Sequence, residues 1–308
     1  MIKVIFMGTP NFSCPTLEEL IADPDINIVA TYSKEPSISG RGKKINKSPI
    51  HQLAEKNNLR ILTPKNFKNQ NDVEDFINFK ADIAVVIAYG LILPETIINA
   101  TKFGCVNLHP SLLPKYRGAA PVQRTIMNGE KVTANCVIKM DKNIDSGDII
   151  NQEIIKIDDK INYQELSDEF SKNGARLIIK SIKELASDQA KLKPQNHKLA
   201  SYAAKIEKSE AKIDWSQASN IINQKIRALS GNIGAYFLYN NERIKILKAK
   251  IVNSTIENKN YGQILNEEMH INCKKGILQP LILQKSGKKA VKLEDFLKGF
   301  RVKDLNIL

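Results

Sequence analysis

Five short, largely apolar runs separated by stretches of helical spacing constrain this chain more than anything else in its sequence. They cover Ile2–Met7, Ile26–Tyr32, Leu59–Leu62, Asp82–Ala88 and Gly104–His109. A continuous apolar run, not an alternating one, is what a parallel strand covered on both faces requires. Between the runs, Ser48–Asn57 and Asp72–Phe79 carry their apolar residues at helical spacing. Ser13 is the expected N-cap of the first helix, with Pro15 and two acids in its first turn. Strands alternating with helices predict an α/β fold, a Rossmann-like, doubly wound and mostly parallel sheet. Val132–Met140 and Asp148–Ile157 alternate more strictly and read as edge or antiparallel strands, and a helix follows over Tyr163–Leu185.

The pattern then breaks. Ser187–Ile213 is polar and charged, with no long apolar run, and reads as a linker. Beyond it, "DWSQASNIINQKIRALSG" predicts a capped helix. Short strands follow at Gly234–Asn240, Arg243–Val252, Tyr261–Leu265 and Ile277–Gln284, the pattern of a small OB-like β-barrel. A length of 308 residues accommodates both domains: 1–188, a linker over 189–205, and 206–308. With 42% hydrophobic residues, each has material for a core, which excludes a disordered chain.

Charge separates the two parts. Residues 206–308 hold 18 Lys/Arg against 10 Asp/Glu, a net +8, while the first 205 hold 28 against 23, a net +5. A basic final third fits an anionic partner such as nucleic acid or an anionic membrane surface; a Lys-rich genome is the bland alternative. Cys14, Cys105, Cys136 and Cys273 are scattered without Cys-x-x-Cys spacing, which points away from disulfides and towards a reducing compartment. The four histidines (His51, His109, His197, His270) are too dispersed to define a metal site. No apolar run reaches the roughly 18 residues of a membrane span. A strand at the very first residues leaves no room for a targeting peptide, so a cytoplasmic protein is expected.

Chemistry concentrates at the end of the fifth run. Asn107 and His109 sit two apart, so a strand turns both side chains to one face; Pro110 then ends the ladder. Either residue alone suits a structural role. Downstream, Asp145 precedes Ser146–Gly147, a tight turn that can aim a carboxylate inward, whereas Asp148 opens the next strand. An amide, an imidazole and a carboxylate supply what acyl transfer to an amine needs. These are a donor for the developing oxyanion, a donor or proton carrier, and a group that orients the ring or receives a proton. No serine or cysteine nucleophile is required, because the amine itself attacks. Gly8-Thr9-Pro10 ends the first strand without Gly-x-Gly-x-x-Gly, against a dinucleotide there. Ala88–Pro94 can be plain packing or the floor of an apolar pocket for a heterocycle. Ser39–Pro49, with two glycines and Arg41, Lys43, Lys44 and Lys47, is a solvated loop or an arm for a phosphate backbone.

Taken together, "GTPNF", "GRGKK", "AYGLILP", "NLHPSLLPKYRGAAP", "DSGDI" and "IDWS" resemble the methionyl-tRNA formyltransferase family over essentially the whole chain. The long run with Asn107, His109 and Asp145 is specific to folate-dependent formyltransferases, and "GRGKK" with a tethered basic domain selects the tRNA-formylating branch. The resemblance implies a Rossmann-like formyltransferase domain joined to an OB-like barrel. It also implies transfer of the formyl group of 10-formyltetrahydrofolate to the α-amine of initiator methionyl-tRNA, without a metal, by a monomer free of membranes. Asn107, His109 and Asp145 take the catalytic positions. The folate site would draw on Ala88, Tyr89, Gly90, Leu91, Ile92 and Leu93, on Ser111, Leu112, Leu113 and Pro114, and on Asp141. Arg41, Lys43, Lys44 and Lys47 take the positions of a tRNA-gripping loop.

One stretch departs from the family pattern: "LSGNIGAYF" (Leu229–Phe237) lacks the two prolines of the usual Asn-Pro-x-Pro-Gly-Ala run. Two rivals remain. One is a formyltransferase acting on a purine precursor or an amino sugar, which would leave the basic third idle. The other is a tRNA-binding protein without catalysis, which would leave the Asn-His-Asp set idle.

Overall fold

Strand β1 (Ile2–Gly8) is apolar without alternation because both its faces are covered. Val4 and Phe6 pack with Leu17, Leu20, Ile50, Ile178 and Ile182; Ile5 and Met7 point the other way, among Ala30, Tyr32, Phe76 and Ile97. A computed structural model of the chain describes residues 1–39, 44–231, 233–252 and 259–300. In chain order, β1 leads to α1 (Cys14–Ala22), β2 (Ile26–Tyr32), the antiparallel pair β3 (Ser37–Ser39) and β4 (Lys44–Asn46), and α2 (Pro49–Lys56). Then come β5 (Ile61–Leu62), α3 (Gln70–Asn78), β6 (Ile83–Ile87), α4 (Glu95–Ile98) and β7 (Cys105–His109). They are followed by α5 (Pro121–Met127), β8 (Val132–Lys139), β9 (Ile149–Lys156) and α6 (Tyr163–Ala186).

The main sheet runs β5-β2-β1-β6-β7-β8-β9. Its first five strands are parallel and β8 is antiparallel to β7, as the stricter alternation of Val132–Met140 predicts. Helix α6 packs so tightly over β7 that a Cβ on Gly174 would lie 2.3 Å from Leu108 Cδ2. Leu108 stands between Asn107 and His109, so this contact fixes the strand that carries both.

The chain forms two compact units that interleave in sequence. One comprises Met1–Gly118, Val132–Ile155 and Ser167–Tyr202; the other comprises Ala119–Lys131, Lys156–Leu166 and the remainder from Ala203. The second unit contains α7 (Ser219–Ala228), β10 (Ala235–Tyr239), β11 (Glu242–Val252), β12 (Ile271–Asn272), β13 (Ile277–Lys285), β14 (Val291–Lys292) and α8 (Leu293–Lys298). Its antiparallel sheet runs β10-β11-β13-β12, with β14 also on β13. The register slips around Leu247, and such a bulge bends a long strand into the curl of a barrel-type sheet. Trp215, Ile226, Phe237, Ile246, Leu278 and Phe296 form part of its core. Helix α5 belongs to this unit: Ala120 joins the same core, and the Arg124 guanidinium forks onto Glu210 at 2.7 and 2.9 Å. That fork holds the Glu210 carboxyl below the usual carboxylate range.

Local expectations needed correction where a polar side chain had another partner. Ser13 does not cap α1; its hydroxyl donates to the Ile87 carbonyl at 2.7 Å, tying the turn after β1 to β6, and the first turn holds no acid. Ala218, not a polar residue, stands at the N-cap of α7, while Asp214 folds back on Ser216 and Gln217. Leu59–Leu62 contributes only a two-residue strand, and Tyr261–Leu265 only a bridge from Ile264 to Ile271.

Candidate active site

Two neighbouring parallel strands bring their carboxyl ends to one place. Val86 of β6 pairs with Asn107 of β7, so Ala88 and His109 lie level at the sheet's upper edge, where open α/β sheets bind ligands. Asn107 is half-buried and His109 buried. The His109 Nε2–H donates to the Tyr116 carbonyl at 2.9 Å, and its Nδ1 faces Asp145 Oδ2 at 3.4 Å. Both ring nitrogens therefore face oxygen acceptors, which fixes the plane of the ring.

Asp145 arrives from the loop after β8 with φ of 50°, a left-handed conformation costly for a non-glycine residue. Its Oδ2 accepts the Gly118 N–H at 2.8 Å and its Oδ1 accepts Asn107 Nδ2 at 3.3 Å. The contacts to Asn107 and His109 are longer than the 2.7–2.9 Å of a tight charge-assisted bond, leaving both donors free to turn to a substrate oxygen. Asp148, the competing carboxylate, takes part through its main chain: its carbonyl accepts the Lys139 N–H at 2.9 Å.

The loop around Asp145 is tightly built. Asp141 accepts the Ser146 hydroxyl at 2.6 and 2.8 Å and the Asn143 N–H at 2.9 Å. A Cβ on Gly147 would lie 1.8 Å from the Lys139 carbonyl oxygen, so only glycine fits. Gly147→Ala is expected to displace this loop and lower turnover by about tenfold or more, since small misplacements of reacting groups are costly. Steady-state kinetics together with a melting curve checks it.

The other residues singled out from the sequence divide into two groups. Ala88 (φ 46°) and Gly90 (φ 81°) reverse the chain after β6, and the Tyr89 ring turns into the core. Leu93 and Leu113 are buried as well, and the buried Ser111 donates to the Lys115 carbonyl at 2.7 Å. Asp141 is occupied with its own loop. These positions can offer a ligand their main chain, not these side chains. Ile92, 94% exposed, and Ile144, 68% exposed, are the apolar side chains left open on the two loops, as a flat apolar ligand needs. Leu91 and Leu112 are half-buried, and Pro114 follows Leu113 through a cis peptide bond.

Arg41 and Lys43 lie outside the described residues. Lys44 opens β4 opposite Ser39, and the Lys47 ammonium is paired with Glu55, holding that carboxyl below its ordinary range. Among the described residues, no group of three or more His, Cys, Asp or Glu is placed to hold a metal.

Several partners of the trio escaped the sequence reading. Gly118 and Tyr116 act through their main chains. Arg117 is buried, its guanidinium bonded to Gln195 Oε1 at 2.6 and 3.2 Å and to His197 Nδ1 at 3.1 Å. Gln195 and His197 come from the stretch that reads as a linker, where no periodicity marks them.

A family model described as "Formyl transferase" matches residues 2–182, and one described as "Formyl transferase, C-terminal domain" matches residues 205–301. The methionyl-tRNA formyltransferase of Rickettsia bellii (strain RML369-C) is 41% identical over 305 residues, covering 99% of this chain and 99% of its own length. That of Orientia tsutsugamushi (strain Boryong) is 42% identical over 305 residues, covering 98% of each. Among solved structures, the N-formyltransferase from Helicobacter canadensis, in complex with folinic acid and dTDP-3-aminofucose, aligns with a TM-score of 0.69 at 23% identity. It covers 92% of this chain and 100% of its own. WlaRD, a sugar 3N-formyl transferase, aligns at 0.68 and 22% identity, covering 94% and 99%. At such identities these two structures speak for the fold alone.

Proposed function

The chain belongs to the methionyl-tRNA formyltransferase family, and from that premise we propose that it formylates the α-amine of initiator methionyl-tRNA with 10-formyltetrahydrofolate as donor. The observation that carries the chemistry is the Asp145 carboxylate, set against both Asn107 and His109 at the end of β7. As the neutral amine adds to the formyl carbon, negative charge grows on the formyl oxygen. Asn107 Nδ2–H and His109 Nδ1–H are the donors for that charge. Asp145 orients the imidazole and receives the amine's proton through a water. As the tetrahedral intermediate collapses, the bond between the formyl carbon and the folate N10 breaks and that nitrogen leaves with the proton.

We assign the folate, a co-substrate that supplies an activated formyl carbon, to residues 88–93, the 111–114 turn and the loop from Asp141. Main-chain groups at the left-handed Ala88 and Gly90, with the exposed Ile92 and Ile144, support that placement. Arg41, Lys43, Lys44 and Lys47 are the proposed tRNA grip of the first part, and the basic residues of 206–308 that of the second. In this functional division residues 1–188 carry the reacting groups, 189–205 link the two parts while setting Gln195 and His197 against Arg117, and 206–308 form the tRNA-binding domain. We place the protein in the cytoplasm as a monomer; no helix among the described residues is long and apolar enough to cross a membrane. A single-turnover assay with enzyme in excess over methionyl-tRNA tests the reaction. Formation of formylmethionyl-tRNA in one turnover supports it, and tRNA binding without product leaves a binding protein.

A further inference from the structure

We infer that Gln195 is a positioning residue for this reaction, clamping the main chain around Asp145 so that its carboxylate stays against His109 and Asn107. The inference rests on the reading of Asn107, His109 and Asp145 given above. A residue in the left-handed region stays there only when its surroundings over-determine it, and a small rotation at that point would swing the carboxylate away. Gln195 supplies much of the determination. Its Nε2 donates to the Asp145 carbonyl at 3.0 Å and to the Gly147 carbonyl at 2.7 Å, one N–H for each.

The other end of the amide is equally engaged. Oε1 accepts Arg117 Nε at 3.2 Å and Nη2 at 2.6 Å. A flipped amide would set oxygen against two carbonyls and N–H groups against a guanidinium, so only one orientation is possible. Arg117 is in turn fixed by His197 Nδ1 at 3.1 Å and by its own N–H on the Ser201 carbonyl at 2.9 Å. Its two chain neighbours make the remaining contacts of the site. The Tyr116 carbonyl receives His109 Nε2–H, and the Gly118 N–H meets Asp145 Oδ2. One buried amide thus locks the Asp145 main chain directly and the Tyr116–Gly118 strip through Arg117.

The test uses full-length protein and two substitutions. Gln195→Met keeps the length and removes every hydrogen bond; Gln195→Glu keeps the acceptor for Arg117 and removes the donors to the two carbonyls. Both are expected to lower kcat by about 10- to 100-fold, the scale of a misplaced reacting group. KM for folate and for tRNA should stay within about twofold, because no substrate-binding group is removed. In an Asp145→Asn background, Gln195→Met should add less than about threefold, since it acts through the carboxylate already neutralised. Thermal melts confirm that each variant is folded at the assay temperature, and Gln195→Glu decides if Gln195→Met is not. Turnover near wild type in either folded variant overturns the inference, as does a full multiplicative loss in the Asp145→Asn background, which would mark a merely structural role. Near-normal turnover of Asp145→Asn itself would remove the site reading, and the inference with it.

Discussion

Asp145→Asn is expected to lower turnover by about 100-fold or more, some 2.7 kcal/mol of transition-state stabilisation. Asparagine matches the size and tolerates the left-handed backbone, so the lesion is electrostatic. The carboxylate now accepts from Asn107, from Gly118 and, across 3.4 Å, from the imidazole. An amide there must aim its NH2 at one of those donors and also loses the charge that faces His109. Asn107→Ala and His109→Ala should fall on the same scale, each removing a donor to the oxyanion. Asp148→Asn should stay within about threefold of wild type, because Asp148 joins this loop through its main-chain carbonyl, which the substitution keeps. Losses of tenfold or less for both alanine variants contradict the mechanism. A larger loss for Asp148→Asn than for Asp145→Asn identifies the wrong carboxylate.

Binding of tRNA is expected to weaken steeply with salt, and replacing Arg41, Lys43 and Lys44 together by Ala should weaken it further while leaving folate binding unchanged. Each lysine or arginine on a phosphate releases counterions, so the salt slope should flatten by up to about one unit per contact removed. Arg41 should dominate, since a guanidinium holds a phosphate bidentately. Truncation at residue 205 is a poor instrument for the basic third: it would strip Arg124 of Glu210 and Ala120 of its apolar neighbours. A cleaner probe is Lys248→Ala with Lys250→Ala, two exposed lysines on β11, which should also flatten the slope. An unchanged slope and affinity in the loop triple variant would reduce Arg41, Lys43 and Lys44 to a solvated loop.

What could be seen in the sequence, and what could not, follows from the range of each interaction. The central strands were legible because burial on both faces demands the continuous runs at Val4–Met7 and Ile83–Ile87. Asn107 and His109 were legible through strand periodicity, and Asp145 through its Ser-Gly turn. The place of α5 was not, because its partners Glu210 and Ile222 lie some 80 to 100 residues further on and its own pattern does not name them. Ser13 looked like a cap because a cap is local, whereas its actual acceptor, the Ile87 carbonyl, is 74 residues away. Gln195 was invisible for a related reason. Its donors meet main-chain carbonyls, which every residue carries, so nothing in the sequence marks either end of the contact.

The central claim, that the amine formylated is that of methionine on tRNA, is tested most directly by the destination of a labelled formyl group. The full-length enzyme is incubated with labelled 10-formyltetrahydrofolate and an equimolar mixture of methionyl-tRNA, free methionine, a nucleotide-linked amino sugar and a purine-precursor amine. The account predicts that label accumulates on methionyl-tRNA, that added salt suppresses this transfer, and that Asp145→Asn slows it by about 100-fold or more. Label on the amino sugar or the purine precursor in preference to methionyl-tRNA would contradict it.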